Sequence, residues 1–430
     1  MRPSMRRAVS LTRDVDPWLL LAFLALLCFG ILMVYSASMA EAYAYYGTPY
    51  FYVEREIIWA GIGLVGLIAA ARIHFDRWRQ LSLPFFGASL ALLAIVMLPH
   101  FGHVSHGAQR WISFGSFFQL EPSELMKFAL IIYLASWLSS KSDQVRDFRG
   151  AVVPFSIIVG VIALMIVKQP DLGTAIVVTV VALSIIYVAG ANVSHLAGIC
   201  TGAGFCGYIM MHSRSYQSSR ITTFLNPWSD PTGSGYHTIQ ALLALRYGGL
   251  FGVGLGNSVQ KYVLPAPHTD SILAVIAEEL GLAGAVAVLL LFLVIAYRGM
   301  RIAAGAPTPF ARLVAAGITT WFTFQALMNF AVITSSVPFT GVPLPFVSYG
   351  GTSMIISMVA MGVLLNISRH ATGEGFARKN IDNRGRDGGS RVPRVIPRPV
   401  PTRAPVDTQH IRLGRASDRA EAGSTVVPRL

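Results

Sequence analysis

Charge is scarce in this chain. Asp, Glu, Lys and Arg supply 13% of its 430 residues, about half the share of an ordinary soluble domain. Cysteine is scarcer, at 3 residues, which excludes a disulfide-stapled secreted scaffold. There is no Walker motif, no Gly-x-Ser-x-Gly elbow and no soluble catalytic domain. His103, His106, His237 and His268 lack the spacing of metal ligands, which argues against a structural zinc site. The chain is instead rich in hydrophobic residues, at 53%, with a mean hydropathy of +0.56. That composition excludes disorder over most of the length and nucleic-acid binding as the main task. It predicts a polytopic membrane protein.

Ten apolar stretches are long enough to span a core of about 30 Å as helices. They lie near 17–36, 57–72, 83–99, 120–139, 151–167, 172–190, 193–211, 271–297, 311–334 and 345–366. The expected fold is therefore all-α, with about ten transmembrane helices and a long external loop, about 212–270, between the seventh and eighth. The domain reading is a cytoplasmic tail over 1–16, a membrane domain over 17–370 and a disordered basic tail over 371–430. The first span follows Arg2, Arg6 and Arg7 like a signal peptide. It is too long for an h-region and reads as a retained anchor. Cys28, Cys200 and Cys206 fall in spans and read as small packing residues.

Basic residues fix the orientation. With the N-terminus inside, inside segments carry 26 Lys and Arg, outside segments carry 7, and Lys127 lies within a span. Both termini are thus expected in the cytoplasm and the long loop outside. The tail after residue 366 holds 13 basic and 6 acidic residues, suited to anionic lipid or a protein partner.

Ionisable groups inside spans are costly and usually functional. Glu121, Glu124 and Lys127 step by three along the start of the fourth span. They read either as the wall of an outward-facing cavity or as a Glu124–Lys127 ion pair with a boundary Glu121. Asp270 sits at the start of the eighth span, where the plain role for an aspartate is an N-cap. Glu278 and Glu279 lie deeper along that span and need partners, and Lys127 is the only basic residue within a span away from its ends. The fourth and eighth spans both run inward, so their polar starts share the external side with the Pro/Gly-rich loop 338–351. Gly248, Gly249, Gly252, Gly254 and Gly256 are better read as tightly turned backbone than as a phosphate cradle. Arg214, Arg220, Arg246 and Lys261 put four cations in the same external loop.

Several stretches taken in order resemble the SEDS family of shape, elongation, division and sporulation proteins, over about residues 17 to 370. They are Gly107-Ala108-Gln109-Arg110-Trp111-Ile112, Glu121-Pro122-Ser123-Glu124 to Lys127, and Gln169-Pro170-Asp171-Leu172-Gly173-Thr174. Others are Arg220 to Trp228, Gly248 to Ser258, His268-Thr269-Asp270 through Gly281, and Pro343 to Gly351. Asn226-Pro227-Trp228 with Gly256 to Lys261 is similar to the family's division branch. Two departures stand out: Glu121 replaces the family's usual Gln, and Ala266-Pro267 replaces its usual Glu-Ala.

The resemblance implies a glycosyltransferase that polymerises glycan from lipid II at the outer face of the bacterial cytoplasmic membrane, at the septum. It assigns the catalytic role to Asp270, as general base. Substrate contacts are expected from Lys127, Glu124, Glu121, Arg110, Arg214, Arg220, His268, Glu278, Glu279 and Ser348, with the cations on the undecaprenyl pyrophosphate leaving group. A divalent cation, Mg or Mn, at the acidic cluster would share that task, and no organic cofactor is expected. The implied partners are a class B penicillin-binding protein transpeptidase and other division proteins, not nucleic acid. A lipid II flippase and a non-catalytic division scaffold are the rival readings.

Overall fold

The computed structural model describes residues 15–98, 103–105, 108–115, 118–141, 144–213, 223–233 and 235–387. The described residues up to 381 belong to one compact unit. Helices occupy all ten expected stretches. They are α1 (Pro17–Tyr46), α2 (Phe51–Arg72), α3 (Phe75–Gln80), α4 (Ser82–Ile95), α5 (Pro122–Ser140), α6 (Val153–Lys168), α7 (Leu172–Val188) and α8 (Val193–Ser213). After these come α9 (Tyr236–Gly248), α10 (Ile272–Glu279), α11 (Gly281–Ala304), α12 (Pro309–Ile333) and α13 (Gly351–Asp387).

Local chemistry sets the helix starts. Asp16 caps α1, its Oδ1 accepting from the Leu19 amide at 3.0 Å, and Pro17 follows at the first helical position. Asp171 caps α7 and Thr308 caps α12 in the same way. α1 runs unbroken for 30 residues to a left-handed Gly47, too long for a signal-peptide core.

Five helical segments are long and apolar enough to cross a membrane by length and composition: Pro17–Tyr46, Phe148–Lys168, Gly281–Ala304, Pro309–Ile333 and Gly351–Ala371. Four of the other expected spans fall short for visible reasons. α4 and α7 have 14 and 17 residues. α2 carries Glu54, Arg55 and Glu56, and α5 carries Glu124 and Lys127.

α12 is the central helix, packing on α5, α7 and α11, while α1 packs on α2 and α11. Trp321 and Phe322 of α12 are fully buried. Cys28 and Cys200 point outward rather than into the packing, and the side chain of Cys206 lies outside the described residues.

Two features depart from the expected all-helical order. Between α4 and α5 the chain forms an antiparallel sheet, β1 (His103–Ser105), β2 (Ala108–Phe114) and β3 (Phe118–Leu120), in that order. And the eighth span is not one helix: it breaks at Leu280–Gly281, where Gly281 adopts φ +70°.

Candidate active site

The break in the eighth span is filled by backbone from the external loop. Gly249, Gly252, Gly254 and Gly256 all have positive φ, so the glycine-rich segment is a series of tight turns, as its composition predicts. Val253 and Gly254 donate their amides to the carbonyls of Glu278 and Glu279, and Gly249 and Leu250 accept from Leu282 and Ala283. Backbone groups freed by the broken helix are thereby paired within the protein.

The two acids at the break are fully buried. Glu278 accepts from the Ser258 hydroxyl and from the amides of Val259 (3.0 Å) and Gln260 (3.1 Å). Glu279 accepts from the Ser36 hydroxyl at 2.7 Å and pairs with Lys261 Nζ at 3.4 Å. The cation that meets Glu279 is therefore Lys261 from the loop, not Lys127, and Glu278 is held by a hydroxyl and amides alone. A charge in this setting is tolerated because it is paired and hydrogen-bonded. Glu278, Glu279 and Lys261 thus tie the loop to α1 and α10, and the expected substrate contact from the two acids is not what the geometry presents.

Lys127 forms the ion pair that its spacing allows, with Nζ 2.7 Å from Glu124 Oε1 and both side chains about 2% exposed. Nζ also donates to Gln325 Oε1 at 3.1 Å and lies over the Trp321 ring. Arg110, on β2, donates to the carbonyls of Gln169 and Pro170 and faces Asp171 at 3.8 Å. It clamps the α6–α7 turn. Ser348 accepts from the Leu344 amide inside its own loop at 2.7 Å. Glu121 is half-buried, accepting from Ser123 while its amide donates to Thr352 on α13. Arg214 and Arg220 lie outside the described residues, as does His106. Arg246 is exposed at the end of α9.

Asp270 holds the centre of what remains. It does not cap the helix: Ser271 occupies the N-cap position without a side-chain capping bond, and Asp270 Oδ1 instead accepts from Thr269 Oγ1 at 3.1 Å. Asn329 of α12 bridges the Asp270 carbonyl (3.2 Å) and the Val342 carbonyl (2.9 Å). One turn along, Gln325 donates to the Pro343 carbonyl at 2.7 Å. One face of α12 therefore fixes the Pro-rich loop against the aspartate, and through Gln325 connects both to the Lys127–Glu124 pair. A Cβ at Gly341 would stand 3.6 Å from Asp270 Oδ2. Burial raises the Asp270 carboxyl above its usual value, opposed by His237, the Thr269 hydroxyl and His268.

His268 is buried. Its ring lies against Tyr52 (4.3 Å) and Tyr349 (5.4 Å), its Nδ1 is 3.4 Å from Glu41, and its carbonyl accepts from the Tyr349 amide. The His-Thr-Asp motif is thus held together from α1, α2 and the loop that leads into α13. Two non-glycine residues, Ala266 at φ +48° and Phe346 at φ +65°, flank it in left-handed backbone, a strain that persists only where surroundings impose it.

Sequence reasoning missed Asn329, Gln325, Glu41 and Ser258. Gln325 and Asn329 did carry a signal, two amides four residues apart in an otherwise apolar span. No cluster of three or more His, Cys, Asp or Glu placed to hold a metal occurs among the described residues.

Comparison with known proteins follows the same stretch. Residues 17–373 match the model of the cell cycle protein family that groups FtsW, RodA and SpoVE. The chain is 42% identical to stage V sporulation protein E of Bacillus subtilis over 84% of its length and 99% of that protein's. It is 39% identical to the probable peptidoglycan glycosyltransferase FtsW of Geobacter metallireducens, over 83% of this chain and 96% of the relative. Among solved structures it resembles a component of a peptidoglycan synthase complex that coordinates polymerization and crosslinking (TM-score 0.67, 25% identity), covering 84% of this chain and all of that one. It also resembles Thermus thermophilus RodA (TM-score 0.59, 26% identity), covering 83% and 98%.

Proposed function

This chain belongs to the cell cycle protein family of FtsW, RodA and SpoVE, and from that premise we infer that it is a peptidoglycan glycosyltransferase with Asp270 as its general base. The observation that carries the assignment is the convergence on Asp270. A carboxylate at the outer rim is braced by Thr269, by Asn329 and by the loop around Gly341, and its side chain retains partial exposure.

The reaction joins the 4-hydroxyl of an acceptor lipid II to the anomeric carbon of a glycan carried on undecaprenyl pyrophosphate, with inversion. Asp270 takes the hydroxyl proton as the new C–O bond forms and the pyrophosphate departs. A partly desolvated carboxylate is a stronger base than one in water, which suits that step. The departing pyrophosphate needs positive charge. Lys127, Arg110 and Lys261 are each engaged by protein groups, so Arg214 and Arg220 are the cations we assign to it. A divalent cation would take most of its ligands from the pyrophosphate, since the described residues offer no ready cluster. The protein works in the bacterial cytoplasmic membrane with the site facing outward, at the division septum, beside a class B penicillin-binding protein.

The test is purified protein with its transpeptidase partner, lipid II and divalent cation, and glycan polymer read on a gel. Polymer from the native chain and none from folded Asp270→Asn is expected. Polymer from pure Asp270→Asn would remove the base assignment. No polymer from any form would turn attention to lipid II translocation.

A further inference from the structure

His237, on the first turn of α9, has no part in the reaction described above. Its Nε2 lies 2.7 Å from Ser271 Oγ. That hydroxyl is fully buried and also lies 3.0 Å from the Pro265 carbonyl. The carbonyl can only accept, so the single hydroxyl proton goes to it. The contact with His237 must then be made by a ring N–H. Nε2 is therefore the nitrogen that carries a proton in this contact. Protonation at Nδ1 creates an imidazolium without breaking the anchor.

The ring is placed to matter to Asp270. Ser271 is the next residue in the chain. The His237 ring packs on Phe339 at 4.0 Å. The Cβ position of Gly341 lies 3.9 Å from the edge of Phe339 and 3.6 Å from Asp270 Oδ2. His237, Phe339, Gly341 and Asp270 thus form one contiguous wall. We propose that His237 is a positioning residue of this site, anchored through Ser271 and supplying the charge that keeps the Asp270 carboxylate in its base form. This rests on Asp270 being the base.

Among the described residues, the other charges around α9 do not substitute for it. On α10, Glu278 and Glu279 are bound to Ser258 and Lys261. α12 offers the neutral Asn329, and residues 338–347 of the facing loop contain no ionisable side chain. His268, the other imidazole near Asp270, is paired with Glu41. Tyr236 directs its hydroxyl to the Val263 carbonyl, and Arg246 is exposed at the far end of the helix.

The test is the pH dependence of His237→Gln in full-length protein with its partner. Glutamine keeps an N–H for Ser271 and cannot become a cation. Its kcat/KM is expected to fall roughly threefold to tenfold below the native value at the acid end, with the deficit narrowing as pH rises. A second readout needs no activity: labelling of Asp270 by a hydrophobic carbodiimide, which attacks the protonated carboxyl, followed by mass spectrometry. Its midpoint is expected at higher pH in the variant. Should His237→Gln fail to fold, carbethoxylation of His237 in the native chain is expected to raise the same midpoint. An unchanged midpoint, or a loss of activity equal at every pH, would overturn the proposal. Retained activity in Asp270→Asn would sink the base assignment instead, and the labelling would still report on His237.

Discussion

At the scale of single residues, pairing decides what each polar group does. Asp270 is exposed enough to meet a substrate and buried enough for its carboxyl to titrate above the ordinary aspartate value near 3.9. A general base works only when ionised, so polymerase activity is expected to rise with pH through that elevated value. The acid limb of kcat/KM should therefore lie above the ordinary carboxylate range, and a limb at or below pH 4 would contradict it. Asn329 carries a second prediction. Its amide serves the carbonyls of both Asp270 and Val342, so Asn329→Ala leaves two acceptors unpaired at about 1–3 kcal/mol for each buried group. The expected result is a lower thermal midpoint together with a fall in kcat, and a variant with native kcat would show that Asp270 is positioned without it. The sequence made Asp270 visible through its motif. It could not make Asn329 visible in the same way, because a lone amide in a span acquires meaning only from the carbonyls that it meets.

At the scale of elements, the decisive feature is the interrupted eighth span. Apart from Glu278 and Glu279 the stretch 271–297 is apolar, so the pattern reads as one helix, and the left-handed backbone of Gly281 just after α10 leaves no trace in it. The glycine-rich loop was legible as tight turns, but its destination was not. It fills the break, and a Cβ at Gly248 would strike the Ala277 carbonyl, while one at Gly252 would strike that of Glu279. Gly248→Ala is therefore expected to displace the loop from α10. A main-chain collision of this kind falls among the backbone effects that cost several kcal/mol. The check is thermal unfolding in detergent beside Gly254→Ala, whose nearest obstacle is the Asn257 side chain and whose loss should be the smaller. Equal losses would mean that loop strain, not the docking of loop on helix, is the main term. The sheet β1–β3 went unread for a related reason. Its strands are three and seven residues long, and its purpose, holding Arg110 over the α6–α7 turn, exists only in three dimensions.

At the scale of the whole molecule, the two ends of the bundle differ in chemistry. One end gathers Asp16, Arg298 and Ser368, with Arg298 donating to the Asp16 carboxylate and Ser368 accepting from its amide. Asn366 reaches the end of α2 at the same level, donating to the Ala71 carbonyl. The other end gathers Glu41, His268, Asp270 and Tyr349. Asp16 caps α1 and Glu41 lies near its other end, and 25 residues of helix separate them by about 37 Å, more than the hydrocarbon core of about 30 Å. Whichever side of the membrane holds the Asp16 end, the Asp270 end is therefore on the other. The proposed orientation, with the Asp16 end inside as the Lys and Arg distribution predicts, would face the site toward the compartment where a glycan strand is built. Single cysteines in a background lacking Cys28, Cys200 and Cys206 test this directly. Thr48→Cys and Val253→Cys are expected to react with an impermeant maleimide in intact spheroplasts. Arg301→Cys should react only after permeabilisation. The reverse pattern would put Asp270 in the cytoplasm, where no glycan strand could be extended outside the cell, and the assignment of this aspartate to polymerisation would fall with it.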